Sequence, residues 1–104
     1  MPSVMRDCVQ AGVESCVIHT SGFAEVGDEG RKLQEEVLKI ARSGGIRLIG
    51  PNCLGVYNHR SGLFVDNKVP EGSAAIISNS GGMNSAITIF GRERGMRFSK
   101  AVSC

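Results

Sequence analysis

Three short apolar runs, each followed at once by a glycine-containing polar loop, constrain the fold of this chain most strongly. The runs are Ser15–His19, Ile46–Ile49 and Ser73–Ile77, and their loops contain TSGFAEVGDEG, GPNCLG and SNSGG. Apolar runs of this length that alternate with helical segments indicate parallel strands joined by right-handed crossovers. In such folds ligands bind at the carboxyl ends of the strands, so these three loops are the candidate site.

Helical periodicity occupies the segments between the runs. Apolar residues three and four positions apart predict one helix over Ser3–Gln10 and another over Arg31–Gly45. A third helix is predicted directly after SNSGG, and Phe98–Val102 is predicted as a fourth strand. By contrast, Gly50–Gly72 is polar and rich in glycine and proline. A connection of that length is either functional or links two domains, so we expect it to be irregular.

Charge and hydropathy exclude several classes of protein. The 104 residues carry a formal net charge of +2, from 12 basic and 10 acidic side chains scattered along the chain. This charge is too small and too dispersed for a nucleic-acid or membrane surface. No apolar run approaches the roughly 20 residues needed to cross a bilayer. The N-terminal segment MPSVMRDC is not typical of a signal peptide, so we expect a cytoplasmic protein.

The cysteines give no sign of a metal site. Cys8, Cys16, Cys53 and Cys104 form no CxxC pair, and the two histidines lie 40 positions apart. We therefore expect free thiols in a reducing compartment and no bound metal. Cys53 stands in a loop, where it is either a nucleophile or an inert thiol. No histidine lies near it in the sequence to activate it, which favours the inert thiol.

Each loop has both a functional and a purely structural interpretation. In SNSGG, the hydroxyls of Ser78 and Ser80 and the first N–H groups of the helix could cradle an anion, or a serine could simply cap the helix. In TSGFAEVG, Glu25 either binds a ribose or amide of a ligand or favours the start of the next helix. Asn52 in GPNCLG presents an amide to the predicted cleft. The phosphate motifs GxxxxGK[ST] and GxGxxG are both absent from the sequence.

Four segments, TSGFAEVGDEG, GIRLIGPNCLGVYN, AAIISNSGGMNSAI and GMRFSKAVSC, follow one another over nearly the whole chain. In this combination and order the chain resembles the NDP-forming acyl-CoA synthetases, which are relatives of the succinyl-CoA synthetase α subunit. Enzymes of that family convert an acyl-CoA, phosphate and a nucleoside diphosphate into acid, CoA and a nucleoside triphosphate, or run the reverse reaction. A phosphohistidine carries the phosphoryl group between distant sites.

The resemblance also implies a fold and a domain organisation. The fold is α/β, a partial parallel-sheet arrangement of Rossmann-like and flavodoxin-like three-layer type. Residues 1–62 would form the C-terminal part of a CoA-binding Rossmann-like domain. Residues 63–72 would be a linker, and residues 73–104 the start of a flavodoxin-like domain of succinyl-CoA-ligase type.

Two sets of binding residues follow from the resemblance, and neither contains a catalytic residue. The first set would bind CoA, with Ser21 and Gly22 near the pantetheine arm or acyl pocket and Asn52 and Cys53 beside the thioester. In full, the CoA set comprises Ser21, Gly22, Glu25, Asn52, Cys53 and Gly55. The second set would bind phosphate at a helix start and comprises Ser78, Asn79, Ser80, Gly81 and Gly82. Coenzyme A is the expected ligand, and no metal is expected.

The sequence departs from the family in several ways. It has no counterpart of the glycine-rich CoA loop, of the phosphohistidine segment or of an ATP-grasp domain, and neither His19 nor His59 matches the phosphorylated histidine. We therefore expect a fragment or truncated homologue of an acid–thiol ligase that is inactive alone. Its expected ligands are CoA or an acyl-CoA, and phosphate. Its expected protein partners are either further copies of the same chain or the missing domains of the enzyme.

Two other interpretations of the chain stay open. It could be a stand-alone module that binds CoA or an anion and self-associates without catalysis. It could also be a small enzyme that uses Cys53, although the sequence offers no base for that thiol.

Overall fold

The structure, a computed structural model, describes residues 1–64 and 71–103. The chain divides into two compact units, Met1–Asn52 and Cys53–Cys104. Most of the predicted linker and the residue Cys104 lie outside the described residues. The domain boundary predicted near residue 62 stays a prediction.

Unit 1 consists of two helices and a two-stranded parallel sheet. Its elements are α1 (Pro2–Gln10), β1 (Ser15–Val17), a 3-10 turn (Ala24–Val26), α2 (Asp28–Ser43) and β2 (Arg47–Ile49). Strands β1 and β2 pair in parallel, with Cys16 opposite Leu48. The predicted order of helix, strand, helix and strand is confirmed, and so is the parallel pairing.

The end of α2 shows why a strand can follow it so closely. Gly45 has φ +71°, a left-handed conformation that glycine adopts without steric cost. The Gly45 N–H donates to Arg42 O at 3.2 Å, and the Ile46 N–H donates to Ala41 O at 2.9 Å. These two bonds form a Schellman motif, which satisfies carbonyl groups that the helix end would otherwise leave unpaired. The motif directs the chain so that Ile46 is buried in the core of unit 1.

The core of unit 1 lies where both helices and the chain after β1 meet. Its buried members are Met5, Ile18, Phe23, Val37, Ala41 and Ile46. Phe23, which belongs to the TSGFAEVG loop, is only 1% exposed. A Cβ atom added at Gly30 in the first turn of α2 would lie 1.8 Å from the Phe23 carbonyl oxygen. The loop after β1 therefore crosses the first turn of α2 in direct backbone contact.

The described residues of unit 2 form a four-stranded mixed sheet with one helix. Its elements are β3 (Val56–Asn58), β4 (Leu63–Phe64), β5 (Glu71–Ser78), α3 (Gly81–Glu93) and β6 (Phe98–Ser103). The strand order is β4-β3-β6-β5, with β5 and β6 parallel and β3 antiparallel to both β4 and β6. The core contains Tyr57, Phe98 and Ala101, with Ala74 and Ile76 packed against them.

The antiparallel strands correct one sequence prediction. The stretch Gly50–Gly72 was expected to be irregular, but its described part contains β3 and β4, which pair as a hairpin. Strand β3 has only three residues, and its second partner, β6, lies about 40 positions further along the chain. A strand this short has too few residues to show an alternating pattern. The parallel pairing of β5 with β6 is confirmed.

No helix within the described residues is both long enough and apolar enough to span a membrane.

The contact between Gly30 and Phe23 predicts a large loss of stability for Gly30→Ala. An added methyl group collides with backbone that cannot move away, so we expect the free energy of unfolding to fall by about 1–3 kcal/mol, as in overpacked cores. Gly82, in the first turn of α3, has no atom within 4 Å of the added Cβ position. Gly82→Ala should leave stability unchanged or raise it by up to about 1 kcal/mol, because alanine favours helix over glycine.

Urea unfolding followed by circular dichroism measures both variants. Equal unfolding midpoints for Gly30→Ala and Gly82→Ala would contradict the close approach at Gly30.

Candidate functional site

The loop that follows β1 is held closed by the carboxylate of Glu25. Its Oε1 accepts hydrogen bonds from the backbone N–H of Gly22 at 2.6 Å and of Phe23 at 3.2 Å, and Oε2 accepts a second from Phe23 at 3.2 Å. Gly22 has φ +96°, which a side chain would strain. The exposed Glu25 side chain thus fixes the backbone at Gly22, a predicted site residue.

These bonds lower the pKa of Glu25 below its ordinary value of 4.5. The largest contribution comes from its own backbone N–H, followed by the N–H groups of Gly22 and Phe23, all of which favour the charged form. Helix α2 begins only at Asp28, with Gly27 as its N-cap, so Glu25 lies in the preceding turn. Contact of Glu25 with a ligand stays a prediction.

The second loop of unit 1, Gly50–Asn52, is joined to the first. The Gly50–Pro51 peptide bond is cis, and Asn52 has φ +57°. The Asn52 N–H donates to the Thr20 carbonyl oxygen at 2.9 Å. Parallel strands end at the same edge of a sheet, and this bond connects the two chain segments that leave that edge. Ser21 and Asn52, both predicted to bind CoA, are exposed there.

An apolar cleft lies within unit 1 beside this edge. Its lining includes Ile18, Phe23, Val37, Leu48 and Pro51, together with the polar residue Gln34. The Gln34 Oε1 accepts a hydrogen bond from the Ala24 N–H at 3.2 Å, which ties α2 to the first loop. Sequence reasoning did not identify this cleft, because its lining residues belong to the ordinary apolar faces of a strand and a helix.

The other two predicted CoA residues, Cys53 and Gly55, belong to unit 2 and are buried. The Cys53 thiol is free and has no exposed surface, and it donates to the Ser103 carbonyl oxygen at 2.7 Å. The Leu54 N–H donates to Ser103 Oγ, and the Ser103 N–H donates to Gly55 O, both at 3.1 Å. Ser103 therefore fixes the segment that follows Asn52. A role for Cys53 beside a thioester stays a prediction.

The SNSGG loop begins α3 with a serine N-cap. Ser80 Oγ accepts a hydrogen bond from the Met83 N–H at 3.3 Å, and the Ser80 N–H donates to Ser78 Oγ at 3.1 Å. A Cβ atom at Gly81 would lie 2.5 Å from Leu54 Cβ, so the helix start packs against the segment that Ser103 fixes. Asn79 and Gly82 are exposed. Within unit 2 the structure thus places Gly81, one of the predicted phosphate residues, against Leu54.

Asn84, one turn into α3, is a feature that sequence reasoning missed. It is 6% exposed and lines a cavity with Gly81, Leu54 and Tyr57. Its Oδ1 is buried and accepts no hydrogen bond from any residue that the structure describes. The sequence showed only an asparagine in a helix, with no pattern to mark it as buried.

Among the described residues, no group of three or more histidine, cysteine, aspartate or glutamate side chains could hold a metal ion.

Comparison with known proteins assigns a family to this fold and these loops. A family model described as "CoA binding domain" matches residues 1–59, which include both loops of unit 1. The chain is 36% identical to the acetate–CoA ligase (ADP-forming) I of Archaeoglobus fulgidus over 106 aligned positions. That alignment covers 99% of this chain and 16% of the relative, so the chain spans about a sixth of the relative's length.

Solved structures agree with the sequence comparison. A crystal structure of a protein from Pyrococcus horikoshii superposes with a TM-score of 0.91 at 35% identity, and covers 98% of this chain and 24% of that one. The dinucleotide-forming acetyl-coenzyme A synthetase 1 of Ca. Korarchaeum cryptofilum, in complex with phosphate and ADP, gives a TM-score of 0.88 at 36% identity. There the match covers 97% of this chain and 22% of that one. The chain therefore belongs to the CoA-binding domain family, and it corresponds to a small part of NDP-forming acyl-CoA synthetases, as its loop motifs predicted.

Proposed function

We propose that the chain binds CoA or an acyl-CoA at the edge of unit 1 where β1 and β2 end. The family match over residues 1–59 carries this proposal, because it includes both loops at that edge. The bond from Asn52 N to Thr20 O supports it, since it holds the two loops together before any ligand arrives. Preorganised loops lose less conformational entropy on binding.

Different residues have different roles in the proposed site. The exposed side chains of Ser21 and Asn52 offer polar groups to the pantetheine arm or the thioester. Gly22 allows close approach of the ligand to the backbone, and Glu25 holds that backbone in place. The apolar cleft beside the edge suits the acyl group, because acyl chains gain free energy when they leave water. Cys53 and Gly55 belong to unit 2, and their contact with CoA stays a prediction.

The start of α3 is the proposed phosphate site, formed by Ser78, Asn79, Ser80, Gly81 and Gly82. Helix N-termini attract anions through their unpaired N–H groups and the helix dipole. The N-cap bond uses the Met83 N–H and does not involve the N–H groups of Gly81 and Gly82, which can then donate to an anion. The relative from Ca. Korarchaeum cryptofilum was solved with phosphate and ADP, which supports phosphate as the anion.

The full reaction proposed for the protein is acid–thiol ligation coupled to a nucleoside diphosphate. The relative from Archaeoglobus fulgidus is an acetate–CoA ligase (ADP-forming), and this chain spans 16% of it. We therefore propose that the residues described here supply CoA and phosphate contacts, and that other segments supply the nucleotide site and the phosphorylated group. A cytoplasmic location is part of the same proposal.

A second candidate function is self-association as a binding module without catalysis. Apolar side chains on β5 and α3 are exposed: Ile77 by 79%, Phe90 by 57% and Met83 by 56%. Parallel sheets are usually covered on both faces, and exposed apolar patches favour association. Analytical ultracentrifugation distinguishes a monomer from a dimer, and Ile77→Ser should weaken any dimer that forms through β5.

Substitutions at Asn52 test the proposed CoA site. Asn52→Gly keeps the positive φ that this position requires and removes only the amide, so the fold should be preserved. Loss of one hydrogen bond should weaken CoA binding by roughly three- to tenfold, as measured by titration calorimetry. Asn52→Ala removes the same amide and also strains the backbone, so it should weaken CoA binding at least as much.

Gln10→Ala, at the exposed end of α1, is the matched control and should bind CoA normally. Suppose that Asn52→Gly binds CoA with normal affinity and only Asn52→Ala binds it more weakly. The role of Asn52 would then be its backbone conformation alone, and its amide would not contact CoA. No binding of CoA or acetyl-CoA at millimolar concentration would contradict the proposed function.

The pKa of Glu25 predicts a pH dependence of the first loop. Because the folded pKa is lowered, the stabilisation of the loop is complete above pH 4.5 and disappears as the pH falls through the folded value. The backbone amide signals of Gly22 and Phe23 in NMR spectra should therefore shift with an inflection below pH 4.5. Glu25→Gln should lower CoA affinity several-fold at pH 7 and abolish that inflection.

An inflection above pH 4.5 in the wild-type protein, or one that persists in Glu25→Gln, would contradict the assigned hydrogen bonds.

A further inference from the structure

Gln34 on α2 has the one polar side chain among the described residues that line the apolar cleft of unit 1. The other lining side chains are hydrocarbon, namely Ile18, Phe23, Val37, Leu38, Leu48 and Pro51. Gln34 is half-buried, so its amide is partly withdrawn from water and still within reach of a ligand. Ligand sites are typically apolar pockets in which a few polar groups orient and select the ligand. The position of Gln34 therefore indicates a specificity residue.

The hydrogen bond with Ala24 fixes the orientation of the Gln34 amide. The backbone N–H of Ala24 can only donate, so the amide atom that lies 3.2 Å from the Ala24 nitrogen is the oxygen, Oε1. Nε2 then carries two N–H donors, and no hydrogen bond among the described residues uses either of them. Gln34 therefore offers a ligand in the cleft a donor and not an acceptor.

The cleft has room for a short acyl group. Its volume is about 170 Å³, and a cavity of about 150 Å³ lined by leucine, isoleucine and phenylalanine binds benzene. Gly50 and Pro51 also line the cleft, and they directly precede Asn52, the residue proposed to lie beside the thioester. A short acyl chain attached to that thioester would therefore enter the cleft past Pro51.

We propose that Gln34 selects acyl groups that carry an oxo or hydroxyl oxygen on their carbon chain over hydrocarbon chains of the same size. This inference rests on the proposed function, since it takes the cleft as the acyl site, and it assigns a specificity residue to that site. The oxygen of the acyl chain accepts a hydrogen bond from Gln34 Nε2, and the remaining carbon atoms contact the apolar lining. Without that donor, the oxygen would lose its hydrogen bonds to water on entry and gain none in return.

The test compares pairs of acyl-CoA thioesters in which an oxo group replaces a methyl branch. Acetoacetyl-CoA is paired with 3-methylbutyryl-CoA, and 4-oxopentanoyl-CoA with 4-methylpentanoyl-CoA, so that the two pairs place the oxygen at two depths in the cleft. Titration calorimetry with the 104-residue chain at pH 7 measures their affinities. In at least one pair we expect the oxo compound to bind about three- to tenfold more tightly, the effect of one hydrogen bond.

Gln34→Glu removes the donor and keeps the structural hydrogen bond. A carboxylate oxygen still accepts from the Ala24 N–H, so the Ala24 amide signal in NMR spectra should stay close to its wild-type position. The carboxylate repels the oxo oxygen, so the methyl compound of each pair should now bind at least as tightly as the oxo compound. Gln10→Glu makes the same chemical change at the exposed end of α1, outside the cleft, and should leave the oxo preference unchanged.

The outcomes separate the role of Gln34 from the proposed function. If the wild-type chain binds CoA but favours the oxo compound in neither pair, the role of Gln34 is overturned and the proposed CoA site is left intact. An oxo preference that survives in Gln34→Glu would overturn that role as well. Binding of neither CoA nor any of the four thioesters would overturn the proposed function itself. Since the wild-type pairs need no substitution, they test the selectivity even if Gln34→Glu fails to fold.

Discussion

The parallel pairing of β1 with β2 determines where the loops of unit 1 can act. Parallel strands end at one edge, so the chain leaves β1 and β2 at the same place, and the bond from Asn52 N to Thr20 O joins the two exits. Antiparallel pairing would have placed the loops at opposite edges. The contact of Gly30 with Phe23 then fixes the first loop on α2. The proposed CoA contacts depend on this arrangement of backbone more than on any single side chain.

In unit 2 a single residue at the end of β6 has the corresponding role. Ser103 lies opposite Ser78 in the sheet and makes three hydrogen bonds to the segment from Cys53 to Gly55. That segment packs so closely on Gly81 that a side chain there would collide with Leu54. The SNSGG loop therefore needs glycine at position 81 for a packing reason, in addition to the proposed access by an anion.

Local patterns predicted the elements of unit 1, whereas long-range pairing determines part of unit 2. The helices α1 and α2 were correctly predicted from the periodicity of their apolar residues, and the short strands after them were correctly predicted from continuous apolar runs. Strand β3 was not, since its pairing with β6 depends on residues some 40 positions away. Of the candidate site, the loops at the strand ends were predictable from glycine and serine patterns. The burial of Asn84 and the partners of Ser103 depend on tertiary packing, which no local pattern encodes.

The structural and functional interpretations of a loop residue compete only when they use the same atoms. At Ser80 they do not, because capping uses the side-chain oxygen and the Met83 N–H and leaves the N–H groups of the first two helical residues for an anion. At Glu25 they do compete, because both carboxylate oxygens already accept bonds from the loop backbone. Glu25 is therefore better understood as the group that positions Gly22 than as a direct contact to CoA. The proposed ligand contacts then fall to Ser21 and Asn52, whose exposed side chains have no competing role of this kind in the described hydrogen bonds.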